Sequence, residues 1–143
     1  MSTRSRKENK NYKKYLRKTG KKTCNFCEID KNSDSFKEES KSFKIIKNIF
    51  SYSLWDGLKV DDHIMIVPKK HTDTLSDLNQ HEAKEFVDIL GKYESSGYNI
   101  YARAPSSVRK TIVHQHTHLI KTKGLVRRFI FAVYRPFYLR ISR

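Results

Sequence analysis

The chain has 143 residues, of which 37% are hydrophobic, and this length and composition suit a single domain with one modest core. Its 30 lysines and arginines outnumber its 15 acids, and it has no apolar run long enough for a transmembrane helix. The basic start lacks the apolar run of a secretory signal, and two cysteines are too few for a disulfide framework. We therefore expect a cytoplasmic protein.

The net charge of +15 has two explanations that the sequence leaves open. It fits a polyanionic partner, which would be nucleic acid, nucleotide phosphate or an anionic membrane surface. It equally fits a proteome in which lysine is the usual surface residue.

The first region of the chain is a basic tail, residues 1–22, with ten lysines and arginines and a single acid, Glu8. We expect this tail to be disordered alone because it has little to bury. If it folds on binding, Tyr12, Tyr15 and Leu16 would lie along one side of a short helix. Phosphate neutralisation by such a tail is one way to bind nucleic acid or ribosomes.

Hydrophobic patterning predicts five strands in the rest of the chain. They are residues 42–46 and 49–54, paired as a hairpin, and then residues 63–67, 98–103 and 111–120. The third of these is a compact apolar run that Pro68 stops, which is typical of a buried strand.

One helix is predicted between the third and fourth strands. Asn79 followed by Glu82 indicates a capping box at its start, and Gly97 closes it. The positions with helical spacing are Ala83, Phe86, Val87, Leu90 and Tyr93. The order of hairpin, strand, helix and two strands favours an α+β domain with an antiparallel sheet.

The most informative segment is residues 113–120, VHQHTHLI, in which His114, His116 and His118 alternate with other residues. In a strand these rings would share one face, about 6.6 Å apart. A neutral imidazole carries one lone pair that can attack phosphorus, form a phosphoramidate and leave again. The alternative is a chance cluster or an incidental metal site.

This run resembles the signature of the histidine-triad family, in which three histidines alternate with apolar residues. The likeness continues upstream: residues 62–71, DHIMIVPKKH, resemble the family's strand ending in Pro-Lys-Lys-His, and residues 72–94 resemble its next helix. Residues 24–27, CNFC, resemble the Cys-x-x-Cys that opens the bacterial branch. The resemblance covers residues 23–121 and leaves residues 122–143 as a C-terminal arm.

The resemblance implies a five-stranded antiparallel sheet with helices, dimerised through the sheet. It also implies a hydrolase or transferase that acts at the α-phosphate of a nucleotide conjugate, a phosphoramidate or a dinucleoside polyphosphate. By position His116 is the nucleophile that becomes nucleotidylated. His118 and His63 match positions on the phosphate and leaving-group side.

Four further residues are expected to bind the nucleotide. Asp56 matches the acid that holds the ribose hydroxyls, and Thr111 matches a phosphate contact. The loop 102–110 lacks the family's usual Asn-Gly element, and its Arg103 and Lys110 are candidates for charged phosphate contacts. A solvated loop fits these basic residues equally well.

The cysteine pair indicates a metal site. Cys24 and Cys27 supply two thiolates for one tetrahedral zinc, and the resemblance nominates His71 and His114 as the other ligands. Such an ion would be structural and would leave His116 free for chemistry. The alternatives are a redox pair, which requires a βαβ context that we do not find, and two idle thiols.

The arm, residues 122–143, interleaves basic and aromatic side chains. Such a segment can stack on bases, lie on a membrane surface or pack on the partner subunit of a homodimer. The basic ends leave two alternatives to the hydrolase. One is a nucleotide- or nucleic-acid-binding module with a reduced site, and the other is a repair-type deadenylase that resolves adenylated nucleic-acid ends.

Overall fold

The computed structural model describes residues 6–18, 24–108, 110–125, 128–132 and 138–142. Its helices are α1 (Arg6–Lys18), α2 (Asn25–Glu28) and α3 (Gln80–Ser95), and a 3₁₀ turn covers Leu75–Asp77. Its strands are β1 (Phe36–Glu39), β2 (Phe43–Lys47), β3 (Leu54–Trp55), β4 (Leu58–Pro68), β5 (Tyr98–Ala102), β6 (Thr117–Leu125), β7 (Arg128–Ala132) and β8 (Tyr138–Ser142).

The predicted α+β fold is confirmed. Five strands form an antiparallel sheet in the order β1-β2-β4-β6-β5, and the short β3 pairs with the start of β4. The strands β7 and β8 form a separate antiparallel pair. In the described ranges, no helix is both long and apolar enough to cross a membrane.

The second half of the central strand β4, from His63 to Pro68, is buried on both faces, which explains the continuous apolar run there. Ile64 and Ile66 point into a core cluster with Phe86 of α3, whereas Met65 and Val67 point into a second cluster that includes Phe26 of α2. The sheet is therefore covered by α3 on one face and by the N-terminal segment on the other.

The helix α3 forms as predicted, with the Asn79 and Glu82 capping box in place and Gly97 at a positive φ of 84° just beyond its end. Phe86 is buried against Phe43, with ring centroids 5.5 Å apart. Leu90 and Tyr93 also pack on this cluster. Two of the predicted apolar positions, Ala83 and Val87, are exposed instead, because only a narrow stripe of the helix meets the sheet.

The predicted hairpin is placed one strand too late. The hairpin consists of β1 and β2, and residues 49–53 form a loop. The loop starts where the Asn48 side chain accepts a hydrogen bond from the Phe50 N–H, 3.0 Å away, which turns the chain out of the sheet. On the edge opposite β1, β2 pairs with β4.

The predicted strand 111–120 is also corrected, because β6 begins only at Thr117. The neighbouring β4 ends at Pro68, and the Gln115 N–H donates to the Thr72 carbonyl, 2.6 Å away, in the loop that follows β4. His114 and His116 therefore lie ahead of the strand. Only His118 is part of the sheet, so the three rings do not form a row at strand spacing.

The two basic ends are only partly described. Residues 1–5 and 19–22 of the predicted tail, and residues 126, 127, 133–137 and 143 of the predicted arm, lie outside the described residues. The described part of the tail, α1, is a helix of 13 residues. At the other end of the chain, β6 continues past the expected boundary at residue 121. The disorder of an isolated tail and the packing of the arm stay predictions.

Candidate active site and metal centre

The segment before and into β6 presents histidines to two neighbouring sites. His116 and His118 line a cavity of about 610 Å³, a size that suits one nucleotide. His114 faces the cysteine pair of α2 instead. All three side chains are buried, with exposed fractions of 8% or less.

The geometry of His116 leaves one ring nitrogen open. Its Nδ1 lies 2.8 Å from the His114 carbonyl, which can only accept, so Nδ1 carries the proton and donates. The lone pair of the neutral ring is then on Nε2. Among the described residues, no group bonds that Nε2, and the ring stands at the cavity wall between Phe26 and His118.

His63 and His118 form a hydrogen-bonded pair beside His116. The Tyr52 N–H donates to His63 Nδ1 over 3.2 Å, so the proton of the neutral His63 ring is on Nε2. That Nε2 lies 2.9 Å from His118 Nδ1 and donates to it. The proton of neutral His118 is therefore on its own Nε2, and His118 lines the cavity as a donor.

Burial and nearby positive charge keep His116 neutral. Loss of hydration lowers the pKa of His116, and the charges of Lys110 and Arg103 lower it further, against the opposing effect of the hydrogen bond to the His114 carbonyl. A ring held neutral below the ordinary histidine range retains its nucleophilic lone pair. The same two cations would attract a phosphate group to this end of the cavity.

Three of the four predicted nucleotide-binding residues line the cavity, namely Thr111, Lys110 and Arg103. Lys110 Nζ also donates to the Asp73 carbonyl over 2.8 Å and to Gln115 Oε1 over 3.2 Å.

Asp56 is not brought to this cavity. It is exposed at the β3–β4 turn with a φ of +46°, followed by Gly57 at +80°, as an Asp-Gly hairpin turn requires.

Sequence reasoning missed the cavity wall beside His63, which includes Asn48 and Tyr52. Asn48 Nδ2 lies 3.1 Å from His63 Nε2, and the Asn48 N–H donates to the His63 carbonyl. An asparagine directly after a strand was the available signal. Its proximity to His63 depends on the pairing of β2 with β4, which the predicted hairpin did not include.

Cys24, Cys27, His71 and His114 form a second cluster, as predicted, and these residues could hold a metal ion. Their ligand atoms all lie within 4.8 Å of one another. His114 Nδ1 is 3.3 Å from Cys24 Sγ and 3.5 Å from Cys27 Sγ, and His71 Nδ1 is 3.3 Å from Cys27 Sγ. On its far side, His114 Nε2 donates to the Pro68 carbonyl over 3.0 Å, which fixes the ring with Nδ1 toward the sulfurs.

These distances fit a tetrahedral ion bound by sulfur and nitrogen. With Zn–S near 2.3 Å and Zn–N near 2.0–2.1 Å, the sulfur and nitrogen corners of a tetrahedron are about 3.6 Å apart. The three sulfur–nitrogen distances above are within about 0.3 Å of that value.

Comparison with known proteins gives the following likenesses. No family model matches the chain. The chain is 26% identical over 115 residues to an uncharacterised HIT-like protein of Mycoplasma genitalium, which covers 73% of this chain and 77% of that protein.

Among solved structures, the chain resembles a HIT family protein from Bacillus anthracis with a TM-score of 0.55 and 21% identity, over 72% of this chain and 75% of that one. It also resembles a HIT family hydrolase from Clostridium thermocellum with a TM-score of 0.54 and 22% identity, over 71% of this chain and 92% of that one. These likenesses show a shared fold.

Proposed function

We propose that the chain is a member of the histidine-triad (HIT) family and works as a nucleotidyl hydrolase or transferase with His116 as the nucleophile; its likeness to a HIT-like protein and to the fold of HIT family proteins supports this. The observation that carries this proposal is the bonding of one ring. His116 Nδ1 donates to the His114 carbonyl, and its Nε2 stands open at the wall of a nucleotide-sized cavity. The substrate class is a nucleotide conjugate, a phosphoramidate or a dinucleoside polyphosphate.

In the first step, His116 Nε2 attacks the α-phosphorus and forms a P–N bond. The bond from phosphorus to the leaving group breaks, and the leaving group departs with its electron pair and takes a proton from solvent. The imidazole ring then carries a positive charge. The His114 carbonyl stabilises that charge because it accepts the Nδ1 proton over 2.8 Å.

In the second step, water attacks phosphorus and the P–N bond breaks, which returns its electron pair to His116 Nε2. The proton of the water goes to solvent, and a nucleoside monophosphate is released. An acceptor alcohol or amine in place of water gives a transfer reaction with the same balance.

His118 is proposed to hold the phosphate for both steps, with His63 behind it as a positioning residue. The Tyr52 N–H donates to His63, and His63 donates to His118 Nδ1. These two hydrogen bonds set the tautomer of His118, so that its proton is on Nε2. A donor there stabilises negative charge that develops on the phosphate oxygens. Arg103, Lys110 and Thr111 are proposed to contact the same phosphate from the loop side.

A residue other than Asp56 is better placed to contact the ribose. Asn48 lies on the cavity wall, whereas Asp56 is exposed at a turn outside it. We propose Asn48 as the ribose contact on this ground. Asn48→Ala should then raise KM more than Asp56→Ala does, and the reverse order would restore the original expectation.

We further propose that the metal is zinc and that it is structural, with Cys24, Cys27, His71 and His114 as its ligands. The thiolate and imidazole ligands favour zinc over hard cations such as magnesium. A homodimer formed through the sheet, a cytoplasmic location and nucleic-acid binding by the basic ends complete the proposal. Light scattering of the purified chain tests the dimer.

A second candidate is a nucleotide-binding module, or a repair-type deadenylase, with a reduced site. The engagement of Lys110 by the Asp73 carbonyl and by Gln115 favours it, because two of the three donors of this ammonium group are already used within the chain. Adenylated nucleic acid among the substrates distinguishes the deadenylase, and binding without turnover distinguishes the module.

The test is incubation with nucleoside phosphoramidates, dinucleoside polyphosphates and adenylated oligonucleotides, with the products identified by mass spectrometry. Rapid quenching should trap a nucleotidyl adduct on His116 that disappears as product forms. The matched control is His81→Ala, since His81 is exposed at the start of α3 and should keep full activity. Turnover without any adduct on His116 would contradict the proposed nucleophile.

A further inference from the structure

The helix α1 lies over the cavity that contains His116. Asn9, Tyr12 and Tyr15 of this helix are among the residues that line the cavity. The inner face of α1 therefore forms part of the wall of the site, although the helix lies outside the region that resembles the family.

Several contacts hold the inner face of α1 in place. The rings of Tyr12 and Tyr15 pack on Phe50, with centroids 5.1 Å and 4.9 Å away. The Tyr12 hydroxyl hydrogen-bonds Thr111, and Glu8 accepts a hydrogen bond from Ser53. Asn25 Nδ2 donates to the Tyr15 hydroxyl over 3.4 Å. The contacts named here are aromatic and polar.

The outer face of the same helix is strongly basic. A step of about 100° per residue places Lys7, Lys10, Lys13, Lys14 and Arg17 opposite Tyr12 and Tyr15. All five of these side chains are exposed. No ion pair in the described part of the chain involves any of them.

We propose that α1 is a lid whose outer face binds the phosphate backbone of single-stranded nucleic acid, and that this binding strengthens nucleotide binding in the cavity beneath. The proposal rests on the proposed function for the identity of the nucleotide pocket. It adds a second binding site and a coupling between the two sites.

The coupling follows from the charges on the helix. Like charges three or four positions apart destabilise a helix, and a 13-residue helix has little stability of its own. Lys10 is the extreme case because Arg6, Lys7, Lys13 and Lys14 occupy all four of its positions at that spacing. A polyanion neutralises this repulsion, favours the helical state and so keeps the inner face on the cavity.

The chemistry of the outer face favours nucleic acid over a membrane. A membrane-surface helix places apolar side chains in the bilayer, but Tyr12 and Tyr15 are directed at Phe50. The outward residues named above are all cations, which suit a phosphodiester chain.

The test measures the affinity of the full-length protein for adenosine monophosphate by calorimetry, with and without a saturating short oligouridylate. We expect the Kd to fall by about fivefold when the oligonucleotide is present, and the effect to fade at high salt. Oligothymidylate and anionic vesicles are the parallel arms. An unchanged or raised Kd with both oligonucleotides, or an equal effect of vesicles, would overturn the proposal.

Lys10→Glu gives the sharpest variant, because it replaces four repulsions by four attractions within the helix. It should tighten adenosine monophosphate binding by about threefold without oligonucleotide and reduce the further gain on adding it. The control is Lys41→Glu, which makes the same charge change at an exposed position between β1 and β2 and should alter neither quantity. The coupling would be contradicted if the Lys10→Glu variant no longer responds to the oligonucleotide but binds adenosine monophosphate no more tightly than the wild type does.

Tyr12→Ala with Tyr15→Ala separates the two faces. The double variant should still bind oligouridylate, measured by fluorescence anisotropy, while its affinity for adenosine monophosphate no longer responds. A preserved response would overturn the lid. Hydrolysis without coupling would contradict this inference alone, and coupling without hydrolysis would contradict the proposed enzyme alone.

Discussion

Two histidines that are two positions apart, His114 and His116, are bonded differently in this molecule. Both are buried near Phe26, and burial lowers the pKa of each. His114 has both ring nitrogens engaged, one toward the sulfurs of the cysteine pair and one on the Pro68 carbonyl. Within the described ranges, only Nδ1 of His116 is engaged. This difference is the ground for assigning His114 a structural role and His116 a reactive one in the function proposed above.

The largest effect is expected from the loss of His116. His116→Ala should lower kcat at least about a thousandfold, because the step that forms the P–N bond has no other nucleophile. It should keep its metal content and its melting temperature within a few degrees. Steady-state kinetics with metal analysis of the same sample measures both, and wild-type turnover would mean that chemistry occurs elsewhere.

Loss of the metal cluster that contains His114 should lower stability, whereas loss of His116 should lower activity. Cys24→Ser, or treatment with a chelator, should remove the metal and lower the free energy of unfolding by about 3 kcal/mol, or roughly 10 °C in Tm. Elemental analysis of the chelator-free protein should show one equivalent of zinc. Identical melting of the metal-free and metal-bound forms would refute a structural role.

A smaller effect is expected at His63, which acts through His118. His63→Leu should lower kcat by about 10- to 100-fold with a small change in KM, because His118 loses the donor that sets its tautomer. A histidine NMR spectrum should show a changed tautomer at His118, which a merely structural loss would not give. Unchanged kcat would remove the His63–His118 pair from the mechanism.

The smallest effect concerns Asp62, which precedes His63. Burial raises the pKa of Asp62, but the hydrogen bond from Tyr98 and the charge of Lys37 outweigh it and leave the pKa below the ordinary value. A lowered carboxyl pKa contributes stability that is present above the unfolded-state pKa and is lost as the pH falls through the folded-state pKa. Burial and Asp62 together raise the pKa of Tyr98 to about 12, so its hydroxyl is a donor throughout this range.

Tyr98→Phe should therefore reduce the free energy of unfolding by about 1 kcal/mol at pH 7, with the difference shrinking below about pH 3. Denaturant titrations across this pH range measure the change. In an Asp62→Asn background, the same substitution should lose its pH dependence. A difference that stays constant with pH in the wild-type background would show that Tyr98 acts by packing.

The sequence predicted which candidate residues come together better than the backbone that presents them. The buried run of β4 and the capping box of α3 are local signals, whereas His71 and His114 were nominated beside the cysteine pair by the resemblance to the histidine-triad family. The start of β6 and the position of the hairpin were wrong. Both depend on which strand pairs with β4, and that pairing is a long-range choice that periodicity does not encode. The placement of Asp56 outside the cavity also depends on pairing with β4, because the short β3 pairs with the start of β4 and leaves Asp56 in the turn between them.

The spacing of the cluster along the chain has a consequence for how the protein is made. Cys24 and Cys27 leave the ribosome first, His71 follows, and His114 arrives last, 90 positions after Cys24. If the proposed ion binds to the first three ligands as they emerge, its site stays incomplete until the fourth is made. Since His116 follows two residues after His114, completing the proposed metal site and delivering the proposed nucleophile would be one event during synthesis. On this proposal, a nascent chain arrested before residue 114 would lack both the complete site and the nucleophile.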